Sequence, residues 1–185
     1  MADTEDYVVG CITKWVWSGF YEPPEIREMM DDVLEPDSDV SQLEAFLASE
    51  LQHKAAAEAS WPSETDCDRL DRVLYGLHEE GICALSNAGY TMSDGHSDVA
   101  EAVGQAPKDH YHGYCFYHGQ DVERALDGYG VMIAFGDLAD DEARSVAVGR
   151  RVAESLSRAG FGVVWDGSAA TRINIPSFDW KRRQA

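Results

Sequence analysis

The chain has 185 residues, of which 44% are apolar and 26% charged, so disorder throughout is excluded and a sizeable core can be buried. Its formal net charge of −19 argues against nucleic acid or an anionic membrane as a direct partner, because phosphate recognition needs a basic face. A basic protein partner or a cationic ligand suits that charge, and solubility alone is the competing explanation. The charge is uneven: residues 1–60 hold fourteen acids and three bases, residues 61–185 twenty and twelve. No apolar leader opens the sequence, and the longest apolar run, near 129–135, is too short to span a bilayer, so a cytoplasmic location is expected. The four cysteines (Cys11, Cys67, Cys83, Cys115) form no C-x-x-C pair and are expected as free thiols.

Residues 4–20 have helical periodicity. Val8, Ile12, Trp15, Val16 and Gly19 share one face, and Trp17, Phe20 and Tyr21 fall on another. Such a helix is buried on two sides or touches a partner. Pro23-Pro24 starts a second helix with Ile26, Met29, Met30, Val33 and Leu34 inward, and Pro36 stops it. Asp39 with Gln42 caps a third, whose stripe is Val40, Leu43, Leu47 and Leu51 and which runs on into Ala55–Ala59. Residues 1–60 therefore form an acidic, all-helical segment, and 61–185 the core domain.

Trp61-Pro62 marks the junction. Thr65 caps a helix carrying Leu70, Val73, Leu74 and Leu77, and Gly81 ends it before a strand at Ile82–Ser86. Asn87–Asp109 is polar and turn-rich, with a short helix near Ser97–Val103, and is the longest candidate for a functional loop. The stretch 110–135 then gives a strand at Gly113–His118, a short helix at Asp121–Leu126 and a strand at Val131–Phe135. Asp140, Asp141 and Glu142 open a long helix with Arg150, Arg151 and Arg158 later in it, the order that suits a helix dipole. Phe161–Trp165 and Ala170–Ile175 read as a hairpin about Asp166-Gly167. The order implies a parallel crossover from 131 to 165 and an α+β fold: a mixed sheet of four or five strands covered by helices.

Three stretches carry a family resemblance: Trp61-Pro62 with Thr65-Asp66-Cys67-Asp68-Arg69-Leu70-Asp71, Gly113-Tyr114-Cys115-Phe116-Tyr117-His118-Gly119-Gln120-Asp121, and Trp165-Asp166-Gly167 with Thr171-Arg172-Ile173. Through them residues 61–180 resemble a bacterial family known only as a domain of unknown function. The resemblance implies no activity. It suggests that some relatives carry a cysteine cluster where this chain has Asn87–His96, so a thiolate metal site is not expected here.

Four site readings follow from the residues. Asp94, His96 and Asp98, with His110 and His112, offer nitrogen and oxygen ligands for a divalent metal such as zinc or iron. A polar loop entering a strand explains the same residues without a metal, and no other cofactor is expected. Cys115 as a nucleophile with His118 as its base has the wrong parity, since residues three apart face opposite sides of a strand. The corner His118-Gly119-Gln120-Asp121 places strand end, glycine and helix N-terminus where an anion could bind, unless Asp121 simply caps the helix. Arg172 shares a face with Asn174, and Asp166 or Asp121 could pair with it.

The leading functional expectation is a non-enzymatic protein that docks a basic partner through acidic helices, a toxin-neutralising immunity protein being its concrete form. Trp17, Glu25, Glu28, Asp31 and Asp32 are the expected contacts. The alternative is a small metal-dependent enzyme or ligand binder with its site at the 87–112 loop and the strand ends. A third is a structural oligomer built on the Trp15/Trp17 helix.

Overall fold

The computed structural model describes residues 2–36 and 38–184, and the side chains from residue 6 onward within those ranges. Met1, Asp37 and Ala185, which the segment boundaries above include, lie outside the described residues. The chain divides into two compact units, Met1–Thr65 with Trp180–Ala185, and Asp66–Asp179.

The first unit is helical: α1 Ala2–Ser18, α2 Pro23–Val33 and α3 Val40–Glu58. Val8, Ile12 and Val16, four residues apart, put one stripe of α1 into the core. Ile26 and Met30 of α2 and Leu43 and Leu47 of α3 complete it. Pro23 and Pro24 occupy the first turn of α2, where a missing N–H is harmless, and Asp39 caps α3 by accepting from the Gln42 N–H at 3.0 Å. The second apolar face of α1 is also covered. The Trp17 indole donates to Glu50 Oε2 at 2.8 Å, and Phe20 lies 6.0 Å from Trp180.

Trp180 belongs to a C-terminal tail that returns to these helices. Its indole donates to the Ser18 carbonyl at 3.1 Å, and the buried Lys54 ammonium donates to Val16 O and Gln184 Oε1, each at 3.0 Å. Gly19, at φ +76°, is needed here because a Cβ would sit 2.6 Å from the Arg182 carbonyl oxygen. The basic tail is thus packed, with the Arg182 guanidinium 4.4 Å from the centre of the Phe20 ring.

The second unit is α+β. Its elements are α4 Asp66–Glu79, β1 Ile82–Leu85, α5 Met92–Gln105, β2 Gly113–Phe116, α6 Gly119–Leu126, β3 Val131–Asp137, α7 Glu142–Arg158 and β4 Ile173–Ile175. Four strands lie in the order β1-β2-β3-β4, the first pair parallel and the other two antiparallel. Helix α7 packs on β3, β2 and α4, and α4 on β1. A Cβ at Gly113 would lie 2.6 Å from Val148, so this face of β2 is closed by α7. The opposite face carries Tyr114 and Phe116, covered by α5, where Gly95 lets the helix sit directly on the Phe116 ring.

Two expectations change here. Asn87–Asp109 is not mainly loop: α5 occupies Met92–Gln105 and is the crossover joining the parallel pair β1 and β2. Its start is fixed by Thr91 and Asp94, each side chain bonding the other residue's N–H. The final hairpin is also reduced to β4 and one bridge, Val164 with Asn174. Asp166 Oδ1 accepts from the Ser168 N–H at 2.9 Å and the Thr171 hydroxyl at 2.5 Å, closing a loop too long for a two-residue turn. The 164 segment runs parallel to β3, as the crossover requires, but β4 lies between them.

Candidate functional site

Polar side chains gather in three places. The first is the corner after β2. His118 and Asp121 are 3% and 2% exposed, and Arg172 reaches them from β4's leading end. Arg172 Nη1 donates to Asp121 Oδ1 at 2.9 Å and Oδ2 at 3.0 Å. Asp121 Oδ2 also accepts from the His118 N–H at 3.2 Å, capping α6. His118 Nε2 lies 3.2 Å from Asp121 Oδ2 and 3.3 Å from Arg172 Nη1. Burial pushes the Asp121 carboxyl above its ordinary range, against the pull of Arg172 and His118. Burial likewise holds the His118 imidazole below its ordinary value, with Asp121 pulling the other way.

At this corner the capping alternative is the arrangement seen. The Gly119 and Gln120 N–H groups at the start of α6 already donate to the Gly89 and Tyr90 carbonyls, at 2.9 and 3.1 Å. Asp121 is a cap and an ion-pair partner, Gln120 is exposed, and of the two carboxylates considered for Arg172 it is Asp121 that takes it. The Cys115–His118 reading fails. Cys115 is fully buried, and burial raises its thiol well above the ordinary range, so the thiolate nucleophile is not available.

The metal-candidate residues are dispersed. Asp94 is held by Thr91 in the α5 cap, which lowers its carboxyl. His96 lies on α5, edge-on to Tyr114 and Phe116 at 5.4 and 5.2 Å. Asp98 is exposed along a groove of about 290 Å³ with Leu85, Ala88 and Glu101. His110 and His112 are at the other end of β2 and precede the strand; His110 lies in the turn closed by its N–H to Pro107 O. Asp94 and His96 belong to the start of α5, so they do not share a centre with His110 and His112. Among the described residues, no three His, Cys, Asp or Glu side chains are grouped to hold a metal ion.

The second place is a cleft of about 680 Å³ at that other end of β2. Ile82, Leu138, Ala139, Ala147 and Val148 give it apolar walls, and Glu80, Asp109, Tyr111, His112, Asp137, Arg144 and Arg151 its polar ones. Arg151 and Glu80 form a two-armed ion pair, with Nε to Oε2 at 2.6 Å, and this hydrogen bonding lowers the Glu80 carboxyl and raises Arg151. Tyr111 bonds His78 Nε2 at 2.8 Å. Asp137 Oδ2 accepts from the Ala139 and Asp141 N–H groups at 2.9 and 3.3 Å, which shapes the loop after β3.

The third place is the outer face of α2. Glu28, Asp31 and Asp32 are exposed and, among the described residues, make no ion pair or hydrogen bond. The one base of that helix, Arg27, is held by both oxygens of Glu44 at 3.1 Å. Two of the expected contacts already have partners within the chain. Glu25 accepts from the Glu22 N–H at 2.6 Å and so caps α2, while Trp17 is half-buried and bonded to Glu50.

A family model described as a domain of unknown function (DUF6891) matches residues 1–184. The chain belongs to the DUF6891 family. The match is wider than the resemblance over 61–180, taking in the three acidic helices. No curated protein and no solved structure matches the chain. No helix of the described residues is long and apolar enough to cross a membrane.

In this DUF6891 chain the cleft takes in Asp109, Tyr111 and His112 from the end of the 87–112 stretch, of which the sequence singled out only His112 by name. Its walls come from α4's end, the starts of β1 and β2, the end of β3 and α7, which no local motif joins. One signal was present. Arg144 is the third residue of α7, after the Asp141 cap, and a cation in a first turn opposes the helix dipole.

Proposed function

We propose that this protein docks a basic protein partner through the acidic outer face of α2, in its concrete form by neutralising a basic toxin. The observation that supports this reading is the placement of Glu28, Asp31 and Asp32: exposed, unpaired among the described residues, with the two aspartates three and four residues after Glu28. That arrangement does not serve the helix. Like charges at this spacing repel, and Asp31 and Asp32 lie in the last turn of α2, where carboxylates oppose the dipole and no base is present. An uncompensated single-sign face does serve association, because it steers a partner of opposite charge.

The test is capture from the native host with the tagged full chain at low salt, elution at high salt, and mass spectrometry. A single basic protein in stoichiometric amount is expected, and less of it should be captured with Glu28→Gln, Asp31→Asn and Asp32→Asn combined. If the captured protein is an enzyme toxic to the host, addition of the chain should inhibit it. An empty eluate, or equal capture by the triple variant, contradicts the proposal.

A further inference from the structure

The 680 Å³ cleft of the second unit falls within the size of sites that take small molecules, and it has apolar walls with few polar groups. Its polar groups differ in how far they are already satisfied. Glu80 and Arg151 bond each other, Tyr111 bonds His78, and Asp137 Oδ2 is occupied by two N–H groups. Among the described residues, the Arg144 guanidinium and the Asp109 carboxylate have no hydrogen-bond or ion-pair partner, and Asp137 Oδ1 has none either. Asp137 is 6% exposed, so this oxygen belongs to a carboxylate set into the cleft rather than to one loose in solvent.

One cation and carboxylate oxygens are therefore left open around an apolar surface. Arg144 is an exposed cation in a first helical turn, against the dipole, and among the described residues it pairs with no acid. A net charge of −19 repels a simple anion, and a simple cation leaves Arg144 unmatched. A molecule carrying both charges meets neither objection.

We infer that the cleft binds a small zwitterion of the α-amino-acid type with an apolar side chain. Arg144 takes the carboxylate in a forked pair. Asp109 and Asp137 Oδ1 accept from the ammonium, and the side chain covers Ile82, Leu138 and Val148. This is independent of the α2 face, and neither stands or falls with the other.

L-leucine is the probe, added to the isotope-labelled full chain and followed by the amide resonances of Ala139 and Ala147. Saturable shifts with a dissociation constant on the order of 1 mM or tighter are expected for so small a ligand. N-acetyl-L-leucine, which lacks the ammonium, and L-leucinamide, which lacks the carboxylate, should each bind at least about tenfold more weakly, the value of one charged hydrogen-bond set. Arg144→Gln should weaken leucine by a similar factor while the thermal midpoint is kept. Arg150→Gln, an exposed arginine outside the cleft walls, should leave binding unchanged. No shift at about 10 mM leucine, far above the expected constant, overturns the inference. So does equal binding of either derivative, or of leucine to the Arg144→Gln chain.

Discussion

The α2 face and the His118–Asp121–Arg172 corner are both dense in charge, and they treat it in opposite ways. At the corner Arg172 pairs with Asp121 at 2.9 and 3.0 Å, His118 lies 3.2 Å from the same carboxylate, and the acid is 2% exposed. On α2 Glu28, Asp31 and Asp32 face water and, among the described residues, pair with nothing. Buried charge is tolerated only when it is paired and hydrogen-bonded, so the corner's arrangement is what folding demands. Nothing in folding demands the α2 arrangement, which works slightly against its helix. The corner's charges should therefore govern stability and leave partner binding alone, and the α2 charges should do the reverse.

The largest expected effect is on the corner. Arg172→Met leaves the Asp121 carboxylate buried without its cation and should lower unfolding free energy by about 3 kcal/mol, the lower end for a broken buried pair because Asp121 can take up a proton. Chemical denaturation measures this, and partner capture by the folded variant should be unchanged. Next comes the α2 triple variant, Glu28→Gln, Asp31→Asn and Asp32→Asn. Association with the captured partner should slow about tenfold at low salt. Stability should stay level or rise by a few tenths of a kcal/mol, since two dipole-opposing charges are gone. A loss of stability with unchanged binding would reverse the comparison.

A smaller effect is the pH dependence of the corner. His118 is held below its ordinary value by burial, so the unfolded chain takes up a proton there before the folded one does. That contribution is fully present above pH about 6.5, the unfolded value, and is lost as pH falls through the folded one. Asp121, raised by burial, has the opposite sign: its contribution is present below pH about 3.9 and lost as pH rises through its folded value. Denaturation midpoints should therefore fall as pH drops below about 6.5 in the wild type, and His118→Gln should flatten that limb. An unchanged limb would show that His118 is not its source. The smallest effect is at Glu80→Gln. The Glu80–Arg151 pair is half open to solvent, so under about 1 kcal/mol should be lost.

The sequence made much of the fold legible because its signals were local. The stripes Val8-Ile12-Val16 and Leu70-Leu74-Leu77 are helical at sight, and Pro23, Asp39 and Gly81 mark boundaries. Helix α5 was largely hidden by Ser93, Gly95, Ser97 and Gly104, poor helix formers. Gly95 is there for contact with Phe116, which lies on another element. The Thr91–Asp94 capping pair was its one local mark. At the sites the same division holds. Asp121 was visible at a helix start and Arg172 within a strand, but their pairing spans 51 positions and Asp166 was an equal choice. The cleft drew on separate elements from Glu80 to Arg151, so only His112 stood out.

Partner recognition is proposed to lie with Glu28, Asp31 and Asp32 of α2. It is tested most directly by the association rate of the captured partner, measured across ionic strength for the wild type and for the Glu28→Gln, Asp31→Asn, Asp32→Asn chain. The wild-type rate should fall steeply with salt, the variant rate should be slower with a shallower slope, and the two should converge once the charges are screened. Identical rates and slopes for the two chains would contradict it.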